Sequence, residues 1–215
     1  MAFAKKAYNG ITEKTPLNIQ LDAGAIFKNF AVGTDTYATA KKAGKCLGAT
    51  QGGGTFTAKP TIRNIEVDGA VGRVKGLADI ETWECSLSAT FIETTVETLK
   101  MALTSATAAA AGTDVSGSGG NGIPKGYTKI SGNAGIGDSD YIENLTWVGC
   151  ISGSDTPMII QLSNGLNEDG LSMDFAPQSE GKVKVTLYGY NNLADFETDA
   201  VNPPFAIFVP DTEGN

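Results

Sequence analysis

Paired acidic side chains are the only groups in this 215-residue chain whose type and spacing suit catalysis. Glu168 and Asp169 are adjacent, and Asp138 and Asp140 flank Ser139. A glycosidase sets two carboxylates roughly 5–10 Å apart across a cleft and raises the pKa of one. Neither pair carries a second signal of such a cleft, and acids at turns are ordinarily just solvated. Asp138-Ser139-Asp140 matches a fragment of a calcium loop, but the remaining ligand positions of an EF-hand are missing. The chain has no histidine, which removes Ser-His-Asp and Cys-His catalysis and every histidine-containing zinc site. Cys46, Cys85 and Cys150 are an odd number with no close pair, against both a disulfide framework and CxxC redox chemistry. Gln51-Gly52-Gly53-Gly54 is glycine-rich but lacks the phosphate-cradling GxxxxGK[ST] and GxGxxG spacings. No catalytic residue, metal site or cofactor is assigned.

The elements that would position any site are mostly strands. Trp83, Cys85, Leu87, Ala89 and Phe91 occupy every second place, with Thr82, Glu84, Ser86, Ser88 and Thr90 between them. A period of two over ten residues predicts a strand with one buried and one wet face. Cys85 is then a small buried hydrophobe, and Trp83 a core residue rather than half of a sugar platform with Trp147. Ile65 and Val67 also alternate, and Asp68-Gly69 predicts a tight hairpin turn after them. From Thr94 the spacing changes. Val96, Leu99 and Leu103 share a helix face, and Thr94 with Glu97 fits a capping box.

Elsewhere, Leu17, Ile19 and Leu21 predict a first strand, and Tyr37 to Leu47 a short helix. Ala106 to Ala111 predicts an extension of the main helix, followed by a flexible loop from Gly112 to Gly122. Tyr141 to Ile151 is apolar on both faces, as in a central strand. Met158, Ile160 and Leu162 begin another strand, with a turn predicted at Asn164-Gly165 and Asp169-Gly170 before Leu171, Met173 and Phe175 return. Val183, Val185 and Leu187 form an amphipathic strand, and Phe205 to Val209 an apolar edge strand after Pro203-Pro204. About eight strands and one good helix predict a single mainly-β domain over 1–215, an antiparallel β-sandwich with one flanking helix.

Charge excludes more than the motifs do. The net charge of −8 disfavours ordinary nucleic-acid binding. It is unevenly spread: +5 over residues 1–60, −3 over 61–125 and −10 over 126–215. Such an object suits head-to-tail contact with copies of itself. MAFAKKAYNG has lysines but no apolar run after them, so neither a signal peptide nor a membrane span is expected, and the default compartment is the cytoplasm.

One stretch resembles a known family. Leu21-Asp22-Ala23-Gly24-Ala25, Gly44-Lys45 through Gly54, Ile62-Arg63-Asn64-Ile65-Glu66-Val67-Asp68-Gly69-Ala70 with Val74-Lys75-Gly76, and the helix-forming Ile92 to Leu103 are similar to major tail proteins. These are the tail tube subunits of long-tailed phages of Gram-positive bacteria. The similarity covers residues 17–103 best and 141–190 in pattern only. It implies a two-sheet sandwich with a flanking helix, assembled as hexameric rings that stack into a tube. DNA passes through that tube without specific binding. The implied partners are further copies of the chain, tail terminator, tape measure and tail tip proteins, with no membrane. The implied location is the virion tail, assembled in the host cytoplasm. Within that picture, segments 29–60 and 104–126 are expected to be mobile inter-subunit contacts. Lys41, Lys42, Lys45, Gly52, Gly53 and Gly54 are expected to touch the next ring. Glu84, Ser86 and Ser88 are expected to face the lumen, and the strand with Lys182 and Lys184 to lie on the outer wall. The rival class is a free-standing β-sandwich that binds carbohydrate or a surface.

Overall fold

The computed structural model describes residues 10–110, 122–175, 177–178, 180–197 and 202–211. The fold is mainly β and antiparallel throughout. One sheet contains β1 (Gln20–Lys28), β6 (Ile142–Ile151), β7 (Met158–Asn167) and β10 (Phe205–Phe208), in that spatial order. The other contains β2 (Thr50–Asn64), β3 (Ala78–Phe91) and β9 (Lys182–Tyr188), with the short β8 (Ser172–Asp174) on the outer edge of β9. β7 belongs to both sheets. Its first part pairs with β6, and its last two residues, Leu166 and Asn167, pair with Tyr188 and Leu187 of β9. The change comes just after Asn164, whose φ of 46° is left-handed. Asparagine tolerates that region better than most residues. Asn164-Gly165 is therefore a bend inside a strand where the sequence predicts a turn.

The core lies between the sheets. Ile26, Leu145, Trp147 and Leu162 from the first meet Cys85, Leu87, Phe91, Val183, Val185 and Leu187 from the second. The alternation predicted for residues 83–91 holds at every position: Cys85, Leu87, Ala89 and Phe91 are buried and Trp83 half-buried. Burial raises the Cys85 thiol pKa, in keeping with an inert core residue. The central strand is covered on both faces, with Leu145 through Val148 buried in succession.

That outer cover is the segment from 29 to 49, the first part of the 29–60 stretch expected to be a mobile inter-subunit contact. Phe30 and Ala40 instead join Phe27 and Val148 in a second buried cluster. α1 (Tyr37–Lys42) sets Tyr37 edge-on to Phe27, with ring centroids 5.5 Å apart. Lys28 N–H donates to Lys45 O at 2.9 Å and Leu47 N–H to Ile26 O at 3.0 Å, so the returning chain runs beside β1. Residues 50–60 depart further from a loop, because they belong to β2. Gly52 and Gly53, at φ of 83° and 76°, make a bulge where the pairing with β3 shifts. Only glycine adopts that conformation cheaply twice in a row.

α2 (Val96–Ala102) flanks the sandwich as predicted, rotated from the predicted face. Its capping box is Thr95 with Thr98, one residue later than Thr94 with Glu97. Thr98 and Ala102 are fully buried, whereas Val96 is exposed. Leu99 of the predicted face still packs against the core, half-buried, and the face is turned by about one residue, or 100°, so that Thr98 and Ala102 lie innermost. Residues 106–110 do not extend this helix. They form β4 (Ala106–Ala110), paired with β5 (Thr128–Gly132) as a separate two-stranded sheet. Alanine favours helix only weakly over other residues, and pairing with a partner strand overrides that preference. The predicted loop from Gly112 lies outside the described residues as far as Asn121. α3 (Leu193–Glu197) is a single short turn, and the described residues hold ten strands and three α-helices, against about eight strands, one good helix and a short one expected.

Candidate assembly surfaces

The paired carboxylates hold loops. Asp140 accepts the Gly137 N–H and the Ser105 hydroxyl, both at 2.8 Å, and these bonds lower its pKa. The contact ties the β4–β5 sheet to the 3₁₀ turn at Asp138–Asp140. Glu168 accepts the Tyr190 hydroxyl proton, and that bond pushes the phenol up to about 12. Asp169 N–H donates to Asn167 Oδ1 at 2.9 Å. A 370 Å³ cleft beside α2 holds Lys28, Glu97, Lys100, Asp138, Asp140 and Glu143. Glu97 sits 2.5 Å from Lys28, which lowers its pKa, so this carboxyl is fixed as an anion rather than poised as a proton donor. Among the described residues no group of three or more histidine, cysteine or acidic side chains could hold a metal ion. Trp147 is buried, its indole donating to Ala23 O at 2.8 Å, and Trp83 packs edge-on to Phe205 at 5.5 Å. The two rings do not form an open sugar platform.

Three surfaces remain. The first is the outer face of the second sheet. Glu84 is exposed there, with Ser86 and Ser88 half-exposed. Directly opposite residues on paired strands share a face. The registers Lys59↔Glu84, Thr57↔Ser86 and Thr55↔Ser88 on one side, and Ser88↔Thr186 and Thr90↔Lys184 on the other, make one polar surface. Lys182 lies opposite Asp174 on it. The expected separation of Glu84 from Lys182 and Lys184 onto different walls is therefore wrong. β9 is the neighbour of β3, and both present their polar sides together. The surface is a mixed-charge hydroxyl face, not an acidic one.

The second surface carries the basic and glycine residues. Lys41 and Lys42 are exposed at the last turn of α1, where the helix dipole favours cations. Lys45 is instead committed to Asp35 at 2.5 Å, inside the 29–49 cover. Asp35 also accepts the Ala31 N–H, and together these bonds lower its pKa. Gly52, Gly53 and Gly54 lie on the edge of β2, not at a loop tip.

The third surface is one the sequence reading misjudged. β2 and β3 pair through Asn64↔Ala78, and Ile65 N–H still donates to Leu77 O at 2.8 Å. The tight turn predicted at Asp68-Gly69 exists, with Ala70 N–H bonded to Val67 O at 3.1 Å. It sits within a long connection, residues 65–77, rather than joining two strands directly. This arm exposes Ile62, Ile65, Val67, Val71, Val74 and Ile80, and Val71 is wholly solvent-exposed. The signal was present in the sequence. The aliphatics of 62–80 hold a period of two only at Ile65 and Val67, and all six are exposed on their own domain.

No known family matches the chain, and a search of curated proteins returned no match. Among the described residues, no helix is long and apolar enough to cross a membrane.

Proposed function

We propose that the chain is a self-assembling structural subunit of the tail-tube kind, stacking with copies of itself. The observation that carries this reading is the β2–β3 arm. Six exposed aliphatic side chains on one projection are costly in water, each worth about 1.5–3 kcal/mol when fully buried. Burial against a copy offsets that cost. An arm that contacts a different surface on the next copy gives heterologous association, which extends into rings or filaments instead of closing as a dimer. The charge gradient from +5 to −10 along the chain favours the same head-to-tail order. So do the residues of 17–103 that resemble tail tube subunits.

In such an assembly the hydroxyl-rich face with Glu84, Ser86 and Ser88 is the surface for a lumen. Serine and threonine present no net charge to passing phosphates. Lys59 and Lys182 each lie opposite an acid, which limits salt-dependent affinity for DNA. The virion tail would be the location, with other tail components meeting the ends of the stack. Sedimentation velocity over a concentration series tests the reading. Species much larger than 22.3 kDa should grow with concentration, and Val71→Asp with Val74→Asp should suppress them. A monomer at every concentration would count against self-assembly.

A further inference from the structure

The arm needs an acceptor, and the far end of the same strand supplies one. Near the start of β2, a cleft of about 390 Å³ opens between the edges of the two sheets. Its floor is apolar: Phe56, Leu87, Trp147 and Ile160. Its rim is the pair of bulges facing each other, Asp22 on β1 and Gly53 on β2. Asp22 has a left-handed φ of 71°, and the β1–β6 register shifts between Leu21 and Ala25. Both edge strands bow where a straight strand would close the sandwich. At Gly53 no side chain covers the floor, and a Cβ placed there would meet nothing within 4 Å.

The geometry separates arm from cleft. From Gly54 to Asn64 β2 runs ten residue steps, or roughly 33 Å at the usual rise of a strand. The arm continues away from the cleft, so it cannot fill its own. A second copy displaced along β2 brings an arm to each cleft. Charge chooses the occupant. Arg73 and Lys75 flank Val74 at the arm tip, and the rim offers Asp22. The stretch 62–80 has three basic and three acidic residues and no aromatic residue. It therefore lacks both the net positive charge that draws a segment to anionic lipid and the aromatic anchors of a membrane interface.

We propose that this cleft is the socket for the β2–β3 arm of the next copy. Val71 and Val74 enter against Phe56 and Trp147, and a basic side chain of the tip reaches Asp22. The inference rests on the self-assembly reading and adds the contact that would produce it.

The test is cross-linking of the full-length chain in a Cys150→Ser background, which removes the exposed thiol. Val71→Cys chains and Gln20→Cys chains, one carrying a mass tag, are mixed and treated with a flexible bis-maleimide. The mixed dimer should appear in concentrated samples, vanish on dilution, and be lost when Asp22→Lys is added to the Gln20→Cys chain. Large assemblies without a mixed dimer would overturn the socket while leaving self-assembly intact. Absence of any assembly would overturn both. Flotation of the wild-type chain with anionic phosphatidylserine vesicles, abolished by Val71→Asp, would assign the arm to a membrane and overturn the socket as well.

Discussion

Gly149→Ala tests whether the sandwich is closed as described around Trp147. A Cβ at Gly149 would lie 2.1 Å from Trp147 Cη2 and 2.2 Å from Cζ2. On its other side the ring lies close against Gly24, where a Cβ would sit 2.4 Å from Nε1. The indole therefore occupies the space that two glycines leave on β6 and β1. It is also held by its hydrogen bond to Ala23 O at 2.8 Å and is only 6 % exposed. Forcing the ring aside costs about 1–3 kcal/mol in overpacking. Losing a buried hydrogen bond adds about 1–3 kcal/mol, so the sum is roughly 2–6 kcal/mol. That is a large part of a domain's usual stability of about 5–15 kcal/mol. Equilibrium urea denaturation reads the change. In a Trp147→Leu background the alanine should cost less than about 1 kcal/mol, because no ring remains to displace. A Gly149→Ala protein within about 0.5 kcal/mol of the parent, or an equal cost in both backgrounds, would refute the packing described.

Leu87→Ala should cost about 2–5 kcal/mol by leaving a cavity, while Thr82→Ala on the wet side of β3 should change stability by less than about 0.5 kcal/mol. Denaturant midpoints in the reverse order would mean the strand faces the other way. Asn167 is buried, donating to Ala102 O at 2.8 Å at the end of α2. Asn167→Ala should therefore cost about 1–3 kcal/mol and speed amide exchange in residues 96–102. Unchanged exchange there would show that α2 is anchored by other contacts. Asp35 has its pKa depressed by the Ala31 N–H and by Lys45, so its stabilisation is fully present above the ordinary aspartate value of about 3.9. It is lost as pH falls through the lower folded value. Asp35→Asn should thus lose stability at pH 7 yet show a smaller further drop on acidification, measured by urea midpoints at both pH values.

Legibility in the sequence followed burial. Residues 83–91 and 183–187 alternate strictly, and both strands stand where the pattern put them, because a half-buried sheet leaves a period of two. The 29–49 cover was hard to see because its packed apolar residues, Phe30, Val32, Tyr37, Ala40, Cys46 and Leu47, are spaced by no regular period. Residues 50–60 were misread because Gly52 to Gly54 look like a loop, although a bulge on an edge strand needs the same conformational freedom. Residues 106–110 suggest helix because alanine is the best helix former, and the partner strand that overrides this is about twenty residues away. Of the surfaces, Glu84, Ser86 and Ser88 were correctly placed on one polar face. Their shared face with Lys182 and Lys184 was not visible, because which strands are neighbours depends on topology rather than local pattern. The cleft was equally hidden, since its floor and rim come from residues spread over five strands.

Electron microscopy of the concentrated, full-length chain tests the central claim most directly. The account predicts rings and stacked tubes with a central channel, absent when Val71 and Val74 are both changed to aspartate. A field of isolated compact particles at every concentration, identical for wild type and variant, would contradict it.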